Sequence, residues 1–222
     1  MLVIVIPLLL LVSVFSYYNA IYAYEAEINN STKQIIDQLG NSIEEYLKDI
    51  ELVTVMIYKS KQMMSILENG KVHDEKELYA NNKVFEEFYS TLFLRSDLNG
   101  IILITNEKDI YYRNKTYDYD MDYNPLDESW YDLALAANGK SVNLGVRKQT
   151  GVRSRENVIS FARQLKSFGN DNLGVILLEF NLDKIKKICD YSKSTSLSSN
   201  IIICDRQGMI IYTTDSELKD DK

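Results

Sequence analysis

The chain has 222 residues, of which 32 are acidic and 25 basic, and its formal net charge is −7. This balance argues against a nucleic-acid-binding role, because contacts to phosphates need a basic face. Hydrophobic residues at 45% exclude a wholly disordered chain, and two cysteines with one histidine leave little scope for a zinc site or a Cys/His catalytic pair.

The first 24 residues carry no charged side chain, and residues 2–15 are almost wholly aliphatic. A helix of about 20 apolar residues is long enough to cross the hydrocarbon core of a membrane. We therefore predict a single transmembrane signal anchor over residues 1–24, which places the protein at the cell membrane with the part beyond Glu25 outside the cell. A cleaved signal peptide and a buried helix are the alternatives.

A long amphipathic helix is predicted after the anchor. Apolar residues follow a three-four spacing from residue 36 to residue 67, with Ser60 as the polar interruption. This apolar stripe must pack on its own domain, on a second copy of the chain, or on both along different parts. A homodimer through the long helix is therefore a predicted assembly. A second helix is predicted over residues 75–94.

The pattern changes from helical to strand-like near residue 100. Short helices are predicted over residues 129–137 and 182–191. Apolar runs bounded by turn residues predict strands over residues 101–105, 109–113, 142–147, 157–165 and 174–180. Helices followed by a meandering sheet are typical of an α+β domain with an antiparallel sheet.

The last segment of the chain repeats an earlier one. Residues 201–212 align with residues 101–112 without a gap, as an apolar strand, a polar turn and a second strand containing Ile-x-Tyr. Unless the match is a coincidence, a second module begins near residue 200 with only its first hairpin present. The predicted organisation is an anchor (1–24), a long helix with a sheet module (25–191), a serine-rich linker (192–199) and the first hairpin of a truncated second module (200–222).

The order of these elements resembles a known family. The anchor, the long helix, the first hairpin, the segment Trp130-Tyr131-x-x-Ala134 and the strand at residues 174–183 together resemble a double Cache sensor domain, the PAS-like extracytoplasmic module of bacterial receptors. The resemblance is greatest to the sensor part of YesM-type histidine kinases. It implies signal transduction in a two-component system, with a small molecule as the ligand. A chemotaxis receptor, a nucleotide cyclase and a membrane-tethered binding protein without output are the alternatives.

Catalysis is not indicated by any motif in these residues, so the chain leaves open whether its parent protein is a histidine kinase. The sequence contains no phosphate-binding glycine loop, no HExxH and no GxSxG motif. Neither a metal nor another cofactor is implied.

The resemblance also implies a ligand site. Some family members bind amino acids through a Tyr, an Arg, a Trp-Tyr pair and a later Asp. Tyr123, Trp130 and Tyr131 match this pattern, whereas Glu128 stands at the Arg position and Glu179 at the Asp position. A glutamate cannot clamp a carboxylate as an arginine does, and aromatic faces with two acids suit a cation or a sugar. The implied ligand is an amine, an amino acid or a sugar. Alternatively, Trp130 and Tyr131 are core residues of a short helix.

Two further expectations concern charged side chains on predicted strands. Seven basic residues and one acid lie between residues 140 and 166, which predicts either a solvated hairpin or an anion subsite with Arg163 as its favoured residue. Glu179 is expected to face water or a ligand, because an unpaired buried charge would cost several kcal/mol.

Overall fold

A computed structural model gives the structure of the protein, and it describes residues 2–69, 74–116, 120–153, 156–195, 201–204, 208 and 210–213. The helices are α1 (Leu2–Val53), α2 (Lys61–Asn69), α3 (Glu75–Leu92), α4 (Ser129–Ala136) and α5 (Asp183–Thr195). The strands are β1 (Leu98–Thr105), β2 (Ile110–Asn114), β3 (Ser141–Lys148), β4 (Asn157–Lys166), β5 (Asn172–Asn181), β6 (Ile202–Cys204) and β7 (Ile210–Thr213). All of the predicted strands are present, and the chain is α+β.

The prediction of a transmembrane helix within residues 1–24 is wrong. Within the part of the chain that the structure describes, no helix combines the length and the apolar character needed to cross a membrane. From Leu9 onward, α1 mixes aliphatic residues with serines, tyrosines and Asn19, and charged side chains begin at Glu25. Because these polar groups interrupt the aliphatic run, the described part of the helix is less apolar than a membrane-spanning segment needs to be.

The long helix ends earlier than its apolar stripe predicts. α1 stops at Val53, and a short 3-10 turn (Met56–Lys59) separates it from α2. The hydroxyl of Thr54 donates to the Glu51 carbonyl at 2.7 Å, and the hydroxyl of Ser60 accepts from the Met63 amide at 3.3 Å. Hydroxyl side chains that bond to the backbone compete with helix continuation and favour helix ends. Ser60, the polar residue that interrupts the apolar stripe, thus lies directly before the new helix α2.

Five strands form one antiparallel sheet in the order β2-β1-β5-β4-β3. One side of the sheet, which we call the α1 face, packs on α1, α2, α3 and α5 through residues such as Ile101, Leu103, Ile176 and Leu178. The opposite side, the α4 face, carries a smaller cluster that packs on α4. Its buried members are Ile102, Ile104, Trp130, Ala134, Ala162, Val175 and Leu177. The sheet therefore separates the long helix from α4.

The repeated segment forms the hairpin that the alignment predicts. β6 and β7 pair antiparallel in a sheet of their own. Ile211 and Tyr212 are buried, and the Tyr212 hydroxyl donates to the Asp190 carboxylate on α5 at 2.6 Å. α5 extends to Thr195, into the segment 192–199 assigned to a linker, and residues 196–199 of that segment lie outside the described residues.

Candidate functional site

Three aromatic side chains, which we call the aromatic cover, lie over the α4 face: Tyr123, Trp130 and Tyr131. Trp130 is 1% exposed, and its indole N–H donates to the Tyr123 hydroxyl at 3.4 Å. Tyr131 is half-buried, and its ring meets that of Trp130 edge-on with the centroids 6.1 Å apart. Burial raises the pKa of Tyr123 to about 12. Three of the residues singled out in the sequence therefore lie together on this side of the sheet.

Glu179 lies beneath this cover on the central strand β5. Its neighbours across the sheet are Gly100 on β1 and Ser160 on β4. The carboxylate is fully buried, and Oε1 accepts hydrogen bonds from the Thr150 amide at 3.0 Å and the Thr150 hydroxyl at 2.7 Å. Glu179 therefore does not face water, contrary to one half of the sequence expectation, and its Oε1 is held by Thr150.

Residues 149–151 of the loop between β3 and β4 close over Glu179. The Tyr112 hydroxyl donates to the Thr150 carbonyl at 2.6 Å. Gly151 has a positive φ of +63°, and a Cβ at this position would lie 2.8 Å from the Tyr112 ring and 2.9 Å from the Tyr123 ring. A side chain there would meet both rings and strain the backbone, so glycine lets the loop pass between the two tyrosines.

Two polar atoms in this region are buried without a partner. Among the described residues, neither Glu179 Oε2 nor the hydroxyl of its cross-strand neighbour Ser160 makes a hydrogen bond of normal geometry. A buried polar atom without a partner costs about 1–3 kcal/mol, so two adjacent ones require an explanation. A ligand that supplies hydrogen-bond donors would provide one.

The protonation of Glu179 follows from this environment. Burial raises the pKa of its carboxyl from 4.5 to about 7. The hydrogen bonds from Thr150, the positive charge of Arg147 and the nearby Gln149 amide oppose this rise. The carboxyl is therefore partly protonated at neutral pH, and a bound cation would favour its ionised form.

A β-bulge places Arg147 on the same side of the sheet. Asn143 pairs with Phe161, but Val146 pairs with Ile159, so β3 holds one residue more than β4 at this point. Gly145, with φ +73°, lies within the bulge. The extra residue shifts the alternation of side chains, and Arg147 falls on the α4 face. Its guanidinium lies 3.5 Å from the Glu128 carboxylate at the start of α4.

Arg163 is not part of this assembly, because it lies on the α1 face. Its Nε donates to the Thr54 hydroxyl at 2.7 Å, and Nη1 donates to the Gly139 carbonyl at 2.6 Å. Nη2 lies 3.6 Å from the Glu51 carboxylate. These contacts connect β4 with the end of α1 and with the turn after α4.

Replacing Arg163 with glutamine should lower the free energy of unfolding by about 1–3 kcal/mol, because two hydrogen bonds from a charged donor are lost. Urea unfolding of the wild type and Arg163→Gln would measure this loss. Lys148→Gln is the matched control, since Lys148 is exposed on the neighbouring strand and should change stability by less than about 0.5 kcal/mol. Equal stability of Arg163→Gln and the wild type would contradict this structural role.

An open groove of about 820 Å³ lies away from this site, beside α1 and α5. Several of its charged groups already have partners within the fold. Asp97 accepts from Arg95 and from the Tyr46 hydroxyl, and the Lys184 ammonium lies 5.2 Å from the centre of the Tyr46 ring. We therefore assign the groove to packing between the helices and the sheet.

Sequence reasoning missed Thr150, Ser160 and Arg147. Gly145 inside a strand-like run is the signal that could have indicated the bulge, and with it the direction of Arg147. No local signal marks Thr150 or Ser160, because their importance depends on the position of Glu179 across the sheet.

Comparison with known proteins shows the fold. No family model matches the chain. The ligand-binding domain of the Campylobacter jejuni chemoreceptor Tlp3 in complex with L-norvaline superposes with a TM-score of 0.63 and 14% identity, covering 90% of this chain and 74% of that one. The ligand-binding domain of the Pseudomonas aeruginosa PAO1 amino acid chemoreceptor PctC in complex with GABA gives a TM-score of 0.59 and 18% identity, covering 86% and 77%. The chain thus has the fold of Cache-type chemoreceptor sensor domains.

The curated relatives are chemotaxis receptors. Methyl-accepting chemotaxis protein TlpB of Bacillus subtilis is 26% identical over 173 residues, which are 77% of this chain and 23% of TlpB. The chain spans about a quarter of the length of the curated relatives it matches. A similarity to YesM-type kinases is not among these findings.

Proposed function

We propose that this chain is the ligand-sensing region of a bacterial chemotaxis receptor, and that it binds a small molecule carrying an ammonium group on the α4 face. The observation that carries the proposal is the buried carboxylate of Glu179 beneath the aromatic cover, with Oε2 making no hydrogen bond of normal geometry among the described residues. Two chemoreceptor domains of the same fold are complexes with L-norvaline and GABA, which both carry an ammonium group, and this supports the same ligand class.

A chemotaxis receptor is a better proposal than the sensor histidine kinase favoured by the sequence, because the curated relatives are methyl-accepting chemotaxis proteins. In this proposal the domain lies outside the cell in a membrane-associated receptor. A homodimer through α1 remains a prediction. Ile50 is buried within its own domain, whereas Ile36 is 61% exposed, so a seam between two copies would use the earlier part of the helix.

An ammonium group would satisfy several features of the site at once. It would donate to Glu179 Oε2 and hold that carboxyl in its ionised form. The Trp130 and Tyr123 rings could contact the cation through their faces. Because Thr150 now closes the site, the loop between β3 and β4 would have to move before a ligand could enter.

Calorimetric titration of the chain with amino acids, amines and sugars would test the proposal. We expect a compound with an ammonium group to bind, and Glu179→Gln to weaken that binding by about 1.5–3 kcal/mol, the range for hydrogen bonds to charged groups. Glu156→Gln is the control, because Glu156 is an exposed carboxylate at the end of the same loop and should leave binding unchanged. Binding of sugars alone, or an equal loss in both variants, would contradict the proposal.

A further inference from the structure

We infer that Arg147 holds the carboxylate of an amino acid ligand, and that Glu128 occupies Arg147 in the absence of that ligand. The inference rests on the proposed function, because it assigns the second charged group of a ligand whose ammonium binds Glu179. It commits the site to amino acids, in preference to amines without a carboxylate.

The position of Arg147 supports the assignment. The bulge at Gly145 places the side chain on the α4 face, the side of the sheet on which Glu179 and Ser160 lie. Its positive charge is close enough to lower the pKa of Glu179. A guanidinium and a carboxylate close to each other on one side of a sheet are complementary to the two charged groups of an amino acid.

The neighbouring bases do not fit this role. Arg163 faces the opposite side of the sheet and is held by Thr54 and Gly139. Lys148 follows Arg147 on β3, so its side chain points to the other side of the strand. Arg147 is thus the base that the described parts of β3 and β4 bring towards Glu179.

The present partner of Arg147 is weakly held. The distance of 3.5 Å to Glu128 exceeds the roughly 2.7–2.9 Å of a hydrogen-bonded ion pair. The Arg147 side chain is 23% exposed and that of Glu128 is 36% exposed, so water screens their attraction. Glu128 also makes no side-chain hydrogen bond to the first turn of α4. A ligand carboxylate could therefore replace Glu128 at small cost.

This arrangement makes Glu128 an internal competitor of the ligand. An amino acid gains the Arg147 contact only by displacing the Glu128 carboxylate. An amine would contact Glu179 and leave the Arg147–Glu128 pair intact. Removal of the Glu128 charge should consequently tighten amino acid binding, whereas removal of the Arg147 charge should weaken it.

Calorimetry with matched probes tests the inference on the full chain. The pairs are L-norvaline with butylamine, L-isoleucine with 2-methylbutylamine, and GABA with propylamine, extended to the other proteinogenic amino acids and their decarboxylated amines. We expect the wild type to bind at least one amino acid at least tenfold more tightly than its matched amine. Arg147→Gln should weaken the binding of that amino acid at least tenfold and change the binding of its amine less than twofold.

Further variants complete the test. Glu128→Gln should tighten the binding of the amino acid severalfold. Arg147→Lys should bind it with an affinity between those of the wild type and Arg147→Gln, because lysine keeps the charge but lacks the planar guanidinium. Lys148→Gln should change the binding of neither ligand. Circular dichroism of each variant would establish that it is folded.

The inference is overturned if the amine binds as tightly as its amino acid, if Arg147→Gln weakens the binding of both ligands equally, or if Glu128→Gln does not tighten the binding of the amino acid. In these cases the proposed ammonium site remains, provided that Glu179→Gln still weakens binding. If the wild type binds neither amino acids nor amines, the proposed function fails as well.

Discussion

Truncation of Trp130 to alanine should lower the free energy of unfolding by about 3–5 kcal/mol, the usual cost of deleting a large buried aromatic side chain. The indole is 1% exposed and is the largest side chain among the buried members of the cluster between α4 and the sheet. Two of its neighbours in that cluster, Ala134 and Ala162, are too small to fill the space that it would leave. The loss should therefore approach the full cavity cost.

Urea unfolding of Trp130→Ala beside Leu133→Ala would measure this effect. Leu133 lies on the same helix but is 51% exposed, so its truncation should cost less than about 1 kcal/mol. A loss below about 1 kcal/mol for Trp130→Ala would contradict the packing of α4 on the sheet.

Replacement of Glu179 with glutamine should remove a large pH dependence of stability. Because burial raises the pKa of the folded carboxyl to about 7 from 4.5, the folded state binds a proton that the unfolded state releases. The stability associated with this proton is fully present below pH 4.5 and is lost as the pH rises through 7. Between pH 5 and pH 8, the free energy of unfolding of the wild type should thus fall by about 2–3 kcal/mol relative to that of Glu179→Gln.

The measurement is urea unfolding of both proteins at the two pH values, with the difference between the proteins taken at each pH. Other titrating groups contribute equally to both proteins and cancel in that difference. Glutamine keeps an acceptor for the two Thr150 donors, so the comparison isolates the charge. Parallel pH dependence of the two proteins would show that Glu179 is already ionised at pH 5.

The regular elements could be predicted from sequence because their signals are local. The apolar runs that form β1, β4 and β5 are bounded by turn residues, and the repeat at residues 201–212 predicted a second hairpin. The order of the strands could not be read in this way. β1 pairs with β5 through residues that lie 69–82 positions later in the chain, and no local pattern encodes that pairing.

The ends of helices and the directions of charged side chains were harder to predict. The apolar stripe of α1 continues past Val53, yet the helix stops where the Thr54 hydroxyl bonds to the backbone. Arg163 was favoured among the seven basic residues because it lies within a strand-like run. The bulge at Gly145 instead turns Arg147 towards Glu179, while Arg163 points to α1.

The candidate site was predicted in part. The aromatic residues Tyr123 and Trp130 lie together with Glu179 on one face, and their role as ligand contacts, which the resemblance implied, stays a prediction. The burial of Glu179 depends on Thr150, which is 29 residues away in the chain, and a rule based on exposure could not anticipate that contact.

Tryptophan fluorescence offers the most direct test of a ligand site on the α4 face. Trp130 is the only tryptophan in the chain, so its emission reports this site and no other. Titration with the amino acid that binds most tightly in calorimetry should give a saturable change in emission with the same dissociation constant, and Glu179→Gln should weaken both. Calorimetric binding with no change in Trp130 emission, or with an unchanged response in Glu179→Gln, would place the ligand elsewhere and contradict the account.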